Sequence, residues 1–251
     1  DLPEAARERA VTRHYDPYWL AFDDDAYERQ ARLIAGAEAK GQLLSMTAES
    51  DVFRAVTEIT IYTPDHPGLF SKLAGAVAVS GGSIVDAKAF TTTDGFALDV
   101  FSVQDAEGEA FGDPSRIARL RQTIEKTLSG ETSPRRLLAQ RPARKKRVAA
   151  FKVQPRVGFD NEASTTATVV EVEGLDRQGF LYDVTQALFE SGLSISSSIV
   201  ATYGERAIDV FYVRDGFGHK ITQPDRRKSV EARLLKVLDE EALEGREPLR
   251  A

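Results

Sequence analysis

The sequence predicts an α+β fold in which two copies of one unit follow a helical segment. The chain repeats itself at a spacing of 111 residues, which indicates a duplicated domain. Within each copy the hydrophobic periodicity changes between that of a strand and that of a helix, in the order strand, helix, strand, strand, helix. At 42% apolar and 29% charged residues, the 251-residue chain has the composition of a folded protein.

Three stretches carry the repeat. They share the patterns D-x-x-G, S-G-x-S-I and A-x-D-V-F-x-V, which lie at residues 65–70 and 176–181, at 80–84 and 191–195, and at 97–105 and 207–215. The third pair aligns after a one-residue deletion, which falls between two apolar runs where a turn tolerates a change of length. We therefore interpret the chain as a duplication of one domain.

Turn residues and apolar spacing place the elements of each copy. The first copy is predicted to contain a strand over 56–62, a helix that Gly81-Gly82 ends, strands over 84–92 and 96–103 joined at Asp94-Gly95, and a helix after Asp113-Pro114. The second copy is predicted to contain a strand over 168–172, a helix over 180–191, strands over 195–202 and 207–213, and a helix through 230–238.

This order is that of the ferredoxin-like βαββαβ fold, which needs a fourth strand in each copy. We expect the first copy to take this strand from residues 149–153 or 156–159. The second copy has no obvious fourth strand of its own, because the chain ends in polar turn residues, so a strand from the linker is expected to fill that vacancy. The predicted domains are a helical segment at 1–54, a first copy at 55–160 with a basic linker at 133–148, and a second copy at 165–244.

The segment ahead of the repeats is predicted to be helical. Asp16-Pro17 gives an N-cap followed by a proline at the first helical position, and an apolar stripe continues to about Lys40. The acidic run 23–25 fits a helix N-terminus. We interpret the stripe as packing rather than as a ligand site; it consists of Trp19, Phe22, Tyr27, Ala31 and Ile34.

The composition excludes several kinds of site. Without cysteine, the chain has no disulfide, no Cys-ligated zinc, no iron–sulfur cluster and no thiol nucleophile. The histidines His14, His66 and His219 lack metal-ligand spacing, and no nucleotide-binding or hydrolase motif occurs. We therefore predict no catalytic residue, no metal and no cofactor in this chain.

The termini and the charge pattern indicate the setting of the chain. No apolar run approaches the roughly 20 residues that span a bilayer, so no membrane contact is expected. The chain starts without methionine or a signal-peptide pattern, which we interpret as a piece of a longer cytoplasmic protein. The net charge is −6, but residues 133–159 carry nine basic and no acidic side chains. This stretch is interpreted as a solvated linker, with contact to nucleic acid or to an acidic neighbouring domain as alternatives.

The turn between the first strand and the first helix of each copy is the candidate ligand site. In the first copy Asp65 is the predicted N-cap, Pro67 fits the first helical turn, and Gly68 leaves the backbone uncovered. The N–H groups near Gly68 and Leu69, at the positive helix end, suit a carboxylate, and Asp65 suits an ammonium group. The turn therefore offers partners to both charged groups of an α-amino acid. The alternative is a capped helix that binds nothing.

The repeated units with D-x-x-G after a strand resemble tandem ACT domains, the amino-acid-sensing modules of metabolic enzymes. Five stretches narrow the resemblance to the bifunctional uridylyltransferase/uridylyl-removing enzymes that act on the PII nitrogen-signalling protein. They are Y-W-L-A-F-D at 18–23, F-T-T-T-D-G-F-A-L-D at 90–99, D-N-E-A-S at 160–164, A-T-Y-G-E at 201–205 and D-V-F-Y-V at 209–213.

The resemblance implies a function and a set of ligand residues. It implies that the chain senses glutamine and controls two catalytic domains that are missing here, a nucleotidyltransferase and an Mg²⁺-dependent hydrolase. The implied partner is PII, and the chain is allowed to form a homodimer through its ACT domains. The ligand residues it implies are Asp65, His66, Pro67, Gly68, Leu69, Ser83, Asp176, Gln178, Gly179, Phe180 and Ser194. The chain departs from the usual ACT pattern at Gln178, which replaces a proline, and at Ser83 and Ser194, where many ACT domains carry asparagine.

Two rival functions share the same fold. Gly95-Phe96-Ala97 is similar to part of an RNA-binding motif, but Asp94 and Asp99 oppose that reading, so we expect no nucleic-acid partner. The second rival is a structural pairing module without a ligand. It is suggested by apolar residues on the third strands that we expect to face a partner layer; they are Phe101, Val103, Phe211 and Val213.

Overall fold

The computed structural model describes residues 4–140, 153–177, 179–204 and 206–239. The described residues form eight helices and eight strands. They are, in chain order, α1 (Glu4–Arg13), α2 (Asp16–Trp19), α3 (Asp24–Lys40), β1 (Ser45–Asp51), β2 (Val56–Pro64), α4 (Leu69–Ser80), β3 (Ser83–Thr91), β4 (Phe96–Gln104), α5 (Pro114–Leu128), α6 (Pro134–Ala139), β5 (Arg156–Asp160), β6 (Thr168–Leu175), α7 (Phe180–Glu190), β7 (Leu193–Tyr203), β8 (Arg206–Asp215) and α8 (Pro224–Leu238).

The strands join into one antiparallel sheet in the order β1-β2-β4-β3-β7-β8-β6-β5. The two copies meet at the centre, where β3 pairs with β7 from Asp86 opposite Ala201 to Lys88 opposite Ile199. Each half of the sheet has the ferredoxin-like arrangement, so the predicted fold class of two such units is confirmed. Among the described residues, no helix combines the length and the apolar character that crossing a membrane requires.

The outer strand of each half precedes its copy in the chain. As expected, a linker strand fills the vacancy in the second half, because β5 pairs with β6 from Arg156 opposite Glu173 to Asp160 opposite Val169. For the first copy the expectation was wrong: its outer strand is β1, which pairs with β2. The segment 1–54 is therefore not helical throughout, and residues 156–160 belong to the second half. The other candidate strand at 149–153 lies largely outside the described residues, as do residues 240–251.

β1 could not be predicted from the sequence because it is an edge strand with few buried side chains. Of its seven residues only Met46 is buried, so the alternation that marks a half-buried strand is missing. The order of the strands is nevertheless the same in the two halves of the sheet, since each copy takes an antiparallel edge strand from the stretch of chain just before it.

Helices α4, α5, α7 and α8 cover one face of the sheet and enclose the main core. The residues expected to face a partner layer lie in this core instead, which corrects that interpretation. They are Phe101, Val103, Phe211 and Val213, all buried. The start of the basic linker, expected to be solvated, forms α6, and its Pro134 is buried against α4. Residues 141–148 of the linker lie outside the described residues.

Gly75 of α4 lets two other elements approach the helix closely. A Cβ atom at this position would stand 2.5 Å from Cβ of Pro134 and 2.7 Å from Cδ2 of Tyr182 on α7. Both distances are shorter than real Cβ contacts. The packing of the second copy and of α6 onto α4 therefore depends on the missing side chain.

Gly75→Ala is expected to destabilise the protein by about 2 kcal/mol, because overpacking a tight contact costs more than the gain in helix propensity returns. The matched control is Gly36→Ala in α3, where nothing lies within 4 Å of the new Cβ. This control is expected to stabilise by about 0.5–1 kcal/mol. Thermal unfolding measures both, and equal shifts in the same direction would show that Gly75 is not a packing contact.

The helical segment covers the other face of the first half only. Its second core consists of Tyr18, Ile34, Ala37, Tyr62 and Leu98, with Phe22, Tyr27, Leu33, Phe90 and Phe96 packed around it. The stripe thus packs, as predicted, although Trp19 is partly exposed. The single helix expected from Asp16 to Lys40 is two helices, because Asp23 caps α3 by accepting a hydrogen bond from the Ala26 N–H (2.8 Å). Helix α1 lies within the segment 1–54 that was predicted to be helical, although no residue pattern placed its ends.

Arg13 and His14 fix the end of α1 against the sheet. Arg13 is 6% exposed; its guanidinium pairs with Glu38 of α3 and donates to the Tyr62 hydroxyl (3.0 Å). Its carbonyl accepts a hydrogen bond from the Thr93 N–H (2.8 Å). His14 stacks on Tyr18 at 3.6 Å between ring centroids. Burial, together with the Arg13 charge, lowers the pKa of His14 to about 4.

Acid is expected to weaken the docking of the helical segment through His14. Because the folded state holds this imidazole neutral, stability is complete above pH 6.5 and falls as the pH drops from 6.5 towards 4. Between pH 6.5 and 5 the loss is about 1.6 kcal/mol, because the unfolded imidazole is half protonated at pH 6.5 and the slope rises to 1.36 kcal/mol per pH unit only below that. The fluorescence of Trp19, the single tryptophan, reports docking. His14→Phe keeps a ring on Tyr18 and should remove this part of the pH dependence; an unchanged profile would assign it to other groups.

Candidate functional site

The two candidate turns lie in two clefts between the copies. The first turn, residues 65–69, borders a cavity of about 190 Å³ whose other walls are β3, β4, α7 and the start of β7. The second turn borders a much smaller space of about 20 Å³, completed by α4 and the start of β3. Ser194 of the second copy lines the first cavity, and Ser83 of the first copy lines the second. Each predicted serine therefore lies at the turn of the other copy.

The first turn differs in detail from the sequence prediction. Gly68, with φ at +80°, takes the N-cap position, which a left-handed backbone makes a natural place for glycine. Asp65 is not the cap: its carboxylate accepts a hydrogen bond from the Thr91 hydroxyl (2.8 Å) on β3. Pro67 precedes the cap instead of lying in the first helical turn. The turn is also held to the β3–β4 hairpin, because the Asp65 N–H donates to the Gly95 carbonyl (2.9 Å).

The helix start leaves several N–H groups for a ligand. The Leu69 N–H, expected to be free, donates to the His66 carbonyl (3.0 Å). In the part of the chain that the structure describes, the N–H groups of Gly68, Phe70 and Ser71 have no backbone acceptor. These unused donors at the positive end of α4 favour an anion.

Helix α7 of the second copy closes one side of the first cavity. The ring of Phe189 lies against Gly68, at 3.1 Å from the position of a Cβ atom there. The Ser71 hydroxyl donates to Oε1 of Gln186 (2.9 Å). The cavity is therefore built from both copies, and a ligand in it would contact both.

A buried carboxyl group lies beneath each turn, and the sequence reading did not select either as a site residue. Asp99 of β4 is 3% exposed and lines the first cavity. Burial raises the pKa of its carboxyl well above the usual range, and the negative charge of Asp65 adds to this shift. Asp209 of β8 is its counterpart, and burial together with Asp176 raises the pKa of Asp209 in the same way. The signal in the sequence was an aspartate repeated in A-x-D-V-F, inside an otherwise apolar strand.

The second turn fills its own cleft. Arg177 pairs with Asp183 (2.6 Å) and donates to the Val237 carbonyl (3.0 Å), and its guanidinium lies over the Phe180 ring. Burial raises the pKa of Asp176, partly offset by Arg177. Gly179 has φ at +84°, as Gly68 does. Gln178 lies outside the described residues. A space of about 20 Å³ holds little more than a water molecule.

Comparisons with known proteins match an ACT domain to the second copy and one group of enzymes to almost the whole chain. The family described as "ACR family N-terminal ACT domain" matches residues 163–234. Bifunctional uridylyltransferase/uridylyl-removing enzymes match almost the whole chain: that of Azospirillum brasilense is 50% identical over 240 residues, 95% of this chain and 26% of the enzyme. Those of Rhodospirillum rubrum and Gluconobacter oxydans are 44% and 46% identical, over 98% and 94% of this chain.

The chain spans about a quarter of the length of these curated relatives. The similarity nevertheless runs through both halves of the sheet and through the helical segment before them. The chain therefore belongs, as a region that carries two ACT domains, to the family of bifunctional uridylyltransferase/uridylyl-removing enzymes.

Proposed function

We propose that this chain senses glutamine and that the bound amino acid sets whether the full-length enzyme adds or removes uridylyl groups on the PII protein. The observation that carries the proposal is the cavity of about 190 Å³ between the copies. It combines free N–H donors, an acidic side chain and space, and these are what a free amino acid needs.

The turn supplies a partner for each charged group of the ligand. The carboxylate takes the N–H groups of Gly68, Phe70 and Ser71 at the start of α4. The ammonium group faces Asp65, which the Thr91 hydroxyl orients. Both contacts are charge-assisted hydrogen bonds, which are the stronger kind.

The far wall suits the side-chain amide of glutamine. Ser194 and Ser196, at the start of β7, line the cavity opposite the first turn. The Ser196 hydroxyl already donates to the Tyr212 carbonyl (3.0 Å), so it can accept from the NH₂ group of an amide, while the Ser194 hydroxyl can donate to the carbonyl oxygen. A ligand in this position contacts both the first turn and the second copy. Its binding would change the position of one copy relative to the other, and the catalytic domains would respond to that change.

Calorimetric titration of this chain with glutamine, glutamate and alanine tests the proposal. Glutamine is expected to bind best. Glutamate brings a second carboxylate into a cavity that already contains Asp65 and Asp99, and alanine leaves the far wall without a partner. A matching rise in the melting temperature is expected with glutamine alone at equal concentration. Absence of heat with all three amino acids would reject amino-acid sensing at this site.

Pairing with a second copy of the chain is a second candidate function, favoured by one observation. The sheet face opposite the helices is covered by α3 in the first half, whereas in the second half Ile199 and Tyr203 of β7 are 51% and 68% exposed on that face. Val210 lies beside Ile199 in the neighbouring strand. Light scattering of the purified chain tests this: a dimer that Ile199→Lys converts to a monomer would support pairing, and a monomeric wild type would reject it.

A further inference from the structure

Asp99 occupies a position that the fold would ordinarily give to an apolar residue. On β4 it alternates with Ala97 and Phe101, which face the helices and belong to the main core. Its counterpart Asp209 is fully buried, and neither of its carboxyl oxygens has a hydrogen-bond partner. Asp99 differs from Asp209 in lining a cavity large enough for a ligand, so the cost of burying its carboxyl group there points to a role in binding.

The cavity offers Asp99 no positive partner of its own. Asp65 and His66, both from the first turn, are the other titratable side chains among the described residues that line it. Apart from Asp99 itself, the residues that line the cavity from α4, β3, β4, α7 and β7 are uncharged. Without a ligand, burial and the charge of Asp65 therefore both favour the protonated form of Asp99.

We propose that Asp99 is the inner half of an ammonium-binding pair with Asp65, and that it releases its proton when the amino acid binds. This inference rests on the proposed function and adds to it a specificity-determining residue and a dependence on pH. Asp65 lies at the exposed rim, held by Thr91, and Asp99 lies in the sheet beneath it. A ligand that enters between them brings the cation that the site lacks.

The step is a simple exchange of charge. The O–H bond of the Asp99 carboxyl breaks, its proton passes to the solvent, and the resulting carboxylate accepts a hydrogen bond from the ligand ammonium. No other bond changes. Since one proton leaves for each ligand bound, affinity should rise by about tenfold per pH unit over the range in which Asp99 of the free protein is protonated.

This arrangement would select for free amino acids. A ligand without the α-ammonium group brings no cation to stabilise the carboxylate form of Asp99. The carboxyl group then stays protonated and faces an uncharged group. Glutaramic acid, which is glutamine without its α-amino group, is the matched ligand. It is expected to bind at least tenfold more weakly and to release no proton.

Calorimetry of the whole chain in phosphate and in Tris at the same pH measures the protons released, because the two buffers take up a proton with different enthalpies. Measured over a series of pH values, the proton release of the wild type is expected to approach one per glutamine in the range in which free Asp99 is protonated. Asp99→Asn should keep the fold, since a neutral amide replaces a neutral acid of the same shape, and should release none while losing at least tenfold in affinity. Asp209→Asn, the equivalent change at the filled second cleft, should bind and release protons as the wild type does.

The outcomes separate this inference from the proposed function. Glutamine binding without proton release, or unchanged affinity in a folded Asp99→Asn protein, overturns the role of Asp99 and leaves glutamine sensing intact. Proton release by glutaramic acid also overturns it, and that test needs no variant. Absence of binding by any amino acid overturns both proposals together.

Discussion

Glutamine affinity is expected to fall by roughly tenfold to a hundredfold when Asp65 is replaced by alanine. The substitution removes the rim carboxylate that is proposed to bind the ligand ammonium, and a charge-assisted hydrogen bond contributes about 1.5–3 kcal/mol. Asp65 is exposed and is not the helix cap, so its loss should leave α4 intact. Calorimetric titration measures the affinity, and circular dichroism checks the fold.

Asp176→Ala is the control for this prediction. Asp176 holds the same place in the second turn, where Arg177 and the surrounding core leave a space of only about 20 Å³. Its removal is expected to change glutamine affinity much less. Equal losses at both turns would show that the second cleft opens to admit a ligand, and unchanged affinity in a folded Asp65→Ala protein would place the site elsewhere.

Glu38→Ala is expected to destabilise the docked helical segment by about 3 kcal/mol, because removal of one partner leaves the buried Arg13 guanidinium poorly compensated. Two partners of the Arg13 guanidinium remain. The Asp94 carboxylate, 3.5 Å away, is half exposed, and the Tyr62 hydroxyl, 3.0 Å away, is neutral. Urea unfolding followed by Trp19 fluorescence reads this segment, since Trp19 packs edge-on against Tyr18.

Glu28→Ala provides the matched substitution on the same helix. Glu28 pairs with Arg32 one turn away, and both side chains are exposed, so this pair contributes at most about 0.5 kcal/mol. A midpoint shift with Glu38→Ala no larger than that with Glu28→Ala would mean that Arg13 is satisfied without Glu38.

The helix order and the candidate turns could be predicted because they depend on short-range chemistry. Gly81 ends α4 with φ at +92°, and Asp113 caps α5 with hydrogen bonds to two N–H groups, as their residue types indicate. The turn with Asp65 was found from its own residues. Asp99 could not be assigned in this way, because nothing in the local pattern says that a strand aspartate lies under a cavity built partly by another copy.

The sequence by itself determined the duplication, the order of elements within each copy and the position of both turns, since periodicity and turn chemistry act over a few residues. Only the tertiary structure decided which strand completes each half, because β1 and β5 are short edge strands whose partners are chosen by pairing at long range. It also placed Ser194 at the first turn and Ser83 at the second, and made one cleft about 190 Å³ and the other about 20 Å³. Phe189 reaches Gly68 of the other copy, whereas Arg177 lines the second cleft while it pairs with Asp183 of its own copy. Such packing depends on contacts that no local segment contains.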